Sequence, residues 1–92
     1  MSEVEVSAAR AGDGWRCEVV VRDAGSATRH LVGVDRPTLE RLAPGATDPL
    51  DLVRRSFDFL LAREPKESIL RSFELPLIGR YFPEYEAEIR GG

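Results

Sequence analysis

Residues 15–34, WRCEVVVRDAGSATRHLVGV, decide the fold. Trp15, Cys17, Val19 and Val21 alternate with Arg16, Glu18 and Arg22, a period of two that belongs to a strand with one apolar side. After DAGSA the segment TRHLVGV alternates again. With Asp23 opposite Thr28, Val21 faces His30, Val19 faces Val32 and Cys17 faces Val34, so the apolar sides of the two strands coincide. A shift of one residue in that turn would invert the buried face of the later strand.

Upstream, EVEVSAA (residues 3–9) places Val4, Val6 and Ala8 on one side and Glu3, Glu5 and Ser7 on the other. Between the two segments, Asp13-Gly14 is read as the centre of a two-residue hairpin turn, because both residues tolerate positive φ. The N-terminal half is therefore expected as a three-stranded antiparallel meander with strands at about 3–9, 15–22 and 28–35.

From Arg36 the period becomes helical. Pro37 suits a first turn and Leu39 and Leu42 share a face, which predicts a helix over 37–43. APGATDP interrupts it; Asp48 then serves as an N-cap and Pro49 as the first residue of the longest helix, 49–63, which Glu64-Pro65 ends. Prolines also punctuate three short helical segments at 66–73, 76–82 and 83–90. The fold class is α+β, with the long helix and the short C-terminal helices packed on one face of the sheet. Residues 1–92 are expected to form a single domain, since a chain this short does not divide its core.

The composition, 42% hydrophobic and 32% charged, is that of an ordinary globular chain, and no apolar run approaches the roughly 18 residues of a membrane span. The acidic, alternating start is unlike a signal peptide, and with the single cysteine, Cys17, it sets the expectation of a cytoplasmic protein. A net charge of -3 with interleaved signs disfavours nucleic acid as a ligand, and the chain has no Asn or Gln to read adenine edges.

WRCEVVV (15–21), SFDFLLAREPKESIL (56–70) and IGRYFPEYEAEI (78–89) together resemble a family of small uncharacterised bacterial proteins. The resemblance spans most of the chain after Trp15. It implies a shared fold, and it implies no activity, substrate or catalytic residue.

Two surfaces stand out as partner-binding candidates. On the outer sheet face Val20 and Leu31 fall side by side within a rim of arginines, Arg22 and Arg29. On the long helix Leu52 and Phe59 lie opposite the main stripe of Leu50, Val53, Phe57, Leu60 and Leu61; either the C-terminal segments cover them or a partner does. The open edges of the meander, residues 3–9 and 28–35, suggest a homodimer by sheet extension.

His30, the one histidine, falls on the inner face as a structural residue, and Cys17 as an inert core thiol. GDG (12–14) leads into a strand and is no phosphate loop, and one Cys with one His builds no closed zinc site, so neither cofactor nor metal is expected. In RYFPEYEAEI (80–89), Pro83 opens a helix, Glu84 and Glu86 occupy its first turn, and Tyr81, Phe82, Tyr85 and Ile89 are expected to close the core over the long helix, covering Leu52 or Phe59. The expected function is a small non-catalytic interaction or regulatory module. The alternatives are a nucleic-acid-associated dimer gathering Arg16, Arg22 and Arg29 into a basic stripe, and a small enzyme using His30.

Overall fold

Two tight turns generate the sheet. The computed structural model describes residues Ser2–Gly91. In it β1 (Glu3–Ala11), β2 (Gly14–Asp23) and β3 (Ser26–Val34) form an antiparallel meander. The first turn is centred on Gly12-Asp13, one residue earlier than the sequence suggested. Gly12 takes the positive φ of 58°, and Gly14 instead opens β2 opposite Ala11. The second turn is Ala24-Gly25, both at positive φ, the type I′ geometry whose twist matches the flanking strands. It closes Asp23 onto Ser26, so Val21 faces Thr28, Val19 faces His30 and Cys17 faces Val32. The register differs by two residues from the one read out of DAGSA. A slip of two preserves the side-chain parity, which is why the buried face is the expected one.

Ala24 sits at φ 50° without a glycine's freedom, a conformation that costs an alanine about 1 kcal/mol. Ala24→Asn, which tolerates this region, is expected to raise stability by about 0.5–1 kcal/mol, read as a rise of about 2–8 °C in the thermal midpoint.

Asp35 ends the meander and caps α1 (Arg36–Leu42), its carboxylate accepting from the Thr38 N–H at 2.9 Å. Hydrogen bonding from the Thr38 side chain, and next this backbone bond, hold the Asp35 carboxyl below the usual aspartate range. The next helix, α2 (Leu50–Leu61), has Asp48 Oδ1 accepting from the Leu50 N–H at 3.0 Å and Pro49 just outside the first turn. It runs twelve residues and stops short of residue 63; Arg63 and Glu64 both donate to the Leu60 carbonyl in a tightened final turn.

The helix expected over 66–73 does not form. Lys66–Ser68 make a single 3-10 turn, and Ser72–Glu74 form β4, parallel to β3, with Phe73 beside Val32. The outer edge of β3 supplies the reason. Leu31 N–H donates to the Arg71 carbonyl at 2.7 Å and Leu75 N–H to the Gly33 carbonyl at 2.9 Å, so this segment satisfies backbone groups that a helix would leave unpaired. The sheet is therefore four-stranded and mixed, in the order β1-β2-β3-β4. Two short helices finish the chain, α3 (Leu77–Tyr81) and α4 (Tyr85–Gly91).

One cluster unites the inner sheet face (Cys17, Val19, Val21, Val32, Val34) with side chains of all four helices, among them Leu39, Phe57, Ile78 and Tyr85. The helices thus cover a single face of the sheet. Burial raises the Cys17 thiol to about 11, with the Asp48 charge adding to the effect, which removes its thiolate at neutral pH.

Candidate functional site

The outer sheet face offers less apolar surface than expected. In the actual register Val20 lies between Glu5 and Arg29 and is only 8% exposed, while Leu31 lies between Glu18 and Ser72 and is 42% exposed. The arginine rim is already engaged, since Arg22 pairs with Glu5 and Arg29 with Glu18. That leaves a single exposed leucine among neutralised charges. The basic stripe of Arg16, Arg22 and Arg29 likewise loses two of its three members to these pairs.

Leu52 and Phe59 are covered within the chain. The Phe59 ring meets Phe82 at 5.7 Å and Tyr85 at 5.2 Å, both edge to face, and the Arg63 guanidinium lies 3.5 Å from its centroid. Tyr85 is wholly buried. Ser56 Oγ donates to the Leu52 carbonyl at 2.8 Å, so the Tyr85 hydroxyl must donate to Ser56 Oγ, at 2.7 Å. Burial raises that phenol to about 12.

His30 is buried, with both ring nitrogens engaged. Nδ1 lies 2.7 Å from the Leu70 carbonyl, which only accepts, so Nδ1 carries a proton; in the neutral ring Nε2 accepts from the Thr28 hydroxyl at 2.8 Å. The imidazole also packs on Phe57 at 5.3 Å. His30 is thus placed to tether the 69–71 segment to β3, and no ring nitrogen is left over for a substrate.

That tethered segment forms one wall of an apolar groove of about 460 Å³. α2 contributes Leu60, the turn after it Glu64, the loop Ser68, Ile69 and Leu70, β4 contributes Phe73, and α3 with its cap closes the far side. Leu60, Ile69 and Ile78 form a buried floor, whereas Leu70 and Tyr81 stand 48% and 67% exposed on the rim. Glu64 is the charged side chain in the lining and makes no ion pair among the described residues. Its neighbour Arg63 spends its guanidinium on Glu84, Glu88 and the Phe59 carbonyl. Reading 66–73 as a helix hid this groove. The available signal was SFEL (72–75), where polar and apolar residues alternate just before Pro76.

The chain matches no family model, no curated protein and no solved structure. The site rests on its geometry.

Beside the groove, Lys66 anchors the 3-10 turn, its side chain 3% exposed and its ammonium bound to Asp23 and, at 2.8 Å, to Glu67. The Lys66 hydrogen bond, reinforced by the Ser2 hydroxyl, holds the Asp23 carboxyl below its ordinary value, and the same ammonium lowers Glu67. A depressed carboxylate contributes stability that is present above its unfolded value and is lost as pH falls through the folded one. Stability should therefore decline as pH drops below about 4, and Asp23→Asn should flatten that acid limb in denaturant titrations at successive pH values. Lys66 is shifted upward by the same Asp23 bond, so its share persists at neutral pH and is lost only in strong alkali. An acid limb of equal slope in the variant would contradict this assignment.

Proposed function

We propose that this chain is a small non-catalytic interaction module whose groove between α2, β4 and α3 holds a short apolar segment of a partner protein bearing a basic side chain opposite Glu64. The observation that carries the reading is the combination of an apolar floor, two exposed rim anchors and one unpaired carboxylate. Apolar clefts of about 300–1,000 Å³ with a few polar groups are the usual form of a binding site, and tyrosine is among the side chains enriched at binding hot spots. Ten residues line the groove. A stable protein dimer uses about 20–30 residues a side, so the size fits a peptide segment rather than a second folded copy.

The reading moves the interaction surface from the outer sheet face to the helical side. Two dye-labelled nonapeptides test it, both with Leu and Phe anchors, one bearing arginine and the other glutamate at the central position. By fluorescence anisotropy the arginine peptide should bind about two- to fivefold more tightly, the worth of a partly exposed ion pair. Glu64→Gln should abolish the difference, and Tyr81→Ala should weaken both peptides about tenfold. Equal binding of both peptides to the wild type, or no binding of either at about 1 mM, would refute the charge-matched groove.

A further inference from the structure

The two edges of the sheet end differently. Arg71, Phe73 and Leu75 cover the outer edge of β3, whereas β1 is an edge strand of nine residues with no strand beyond it among the described residues. The two-residue turn makes Ala11 and Gly14 a hydrogen-bonded pair, so Ser7, Ala9 and their alternate neighbours spend their N–H and C=O groups on β2. Val4, Val6, Ala8 and Arg10 direct theirs outward. Such an edge is a template for another strand.

The charge along this edge is polarised. Glu3 stands at its start with no ion pair among the described residues. At its end Arg10 and Arg36 both lie over the Trp15 ring, at 5.4 and 5.3 Å, and Arg16 stands opposite Ala9 on the other face. None of these three arginines is in an ion pair among the described residues. Asp13 and Asp35 share that end, which leaves the three arginines one positive charge in excess.

We infer that β1 pairs antiparallel with β1 of a second copy of this chain about a two-fold axis near Ser7. That register sets Glu3 opposite Ala11 of the second copy, Glu5 opposite Ala9 and Val6 opposite Ala8, with no like charges facing each other. Each acidic end then abuts a basic one. Arg10 falls opposite Val4, and its aliphatic stem covers a side chain that is half-exposed in the monomer. A parallel arrangement would instead align Glu3 with Glu3 and Arg10 with Arg10. The pairing leaves the groove untouched and stands whether or not the groove binds peptides.

Sedimentation equilibrium from about 1 µM to 1 mM tests the inference, at low and high salt. The expected result is a monomer–dimer equilibrium that weakens as salt rises, as polarised charges require. Ala8→Pro removes an outward N–H and leaves the β2 ladder intact, so it should abolish the dimer while the circular dichroism is unchanged. As a second route, Glu3→Arg and Arg10→Glu, whose side chains lie on opposite faces of the strand, should each weaken the dimer, most at low salt. A monomer at about 1 mM, a dimer indifferent to Ala8→Pro in a folded protein, or a dimer unchanged at low salt by either charge reversal would each overturn the proposal.

Discussion

Gly14→Ala is expected to lower stability by about 3 kcal/mol, a fall of about 10–25 °C in the thermal midpoint. A Cβ at this position would lie 2.3 Å from the Val34 carbonyl oxygen and 2.6 Å from the Asp35 Cα. Both are backbone atoms and cannot rotate away. Relief requires β2 and the end of β3 to separate where Trp15 pairs with Val34 and where Asp35 caps α1, so the strain spreads into a strand pair and a helix start together. Gly33→Ala is the control. There the added Cβ meets the Glu74 carboxylate, the far end of a flexible side chain, and the cost should stay within about 1 kcal/mol. Equal losses from the two variants, read by thermal and chemical unfolding, would show that β2 gives way more easily than its contacts imply.

Tyr85→Ala is the second large effect, with an expected cost of about 3–5 kcal/mol. The ring is fully buried, meets Phe59 edge to face, and joins α4 to α2 through its hydrogen bond to Ser56. Its removal leaves a cavity under the C-terminal helix and exposes Phe59. Tyr85→Phe separates the terms. It keeps the ring and removes the hydroxyl, while Ser56 still donates to the Leu52 carbonyl, so the loss should be about 1 kcal/mol. A phenylalanine variant as unstable as the alanine one would place the stability in the polar contact rather than in the packing.

These two residues also mark how far the fold could be read from the sequence. The alternation of Trp15, Cys17, Val19 and Val21 was enough for the meander and its buried face, because a strand's parity survives errors in turn length of two residues. The turns themselves were less legible. In AGDGW either Gly12 or Gly14 could supply the positive φ, and what decides is the close approach of Gly14 to Val34, a contact 20 residues away in sequence. The segment 66–73 departs from its helical expectation for a similar reason. Its local pattern is compatible with a helix, and the unpaired edge of β3 draws it into a strand. The groove followed from that strand and so was hidden with it. Leu52 and Phe59 are legible as a second apolar stripe on α2; both are buried, and Phe82 and Tyr85 meet Phe59, while Tyr81 stands on the groove rim instead.

The proposed function depends on the groove, and the amide chemical shifts of the ¹⁵N-labelled protein during titration with the arginine peptide report on it residue by residue. Saturable shifts are expected in the groove lining, at Glu64, Leu70, Phe73 and Tyr81 above all, with the amide of Val20 on the outer sheet face unmoved. Shifts centred on Val20 and Leu31 with a silent groove would contradict it and return the binding surface to the outer face of the sheet.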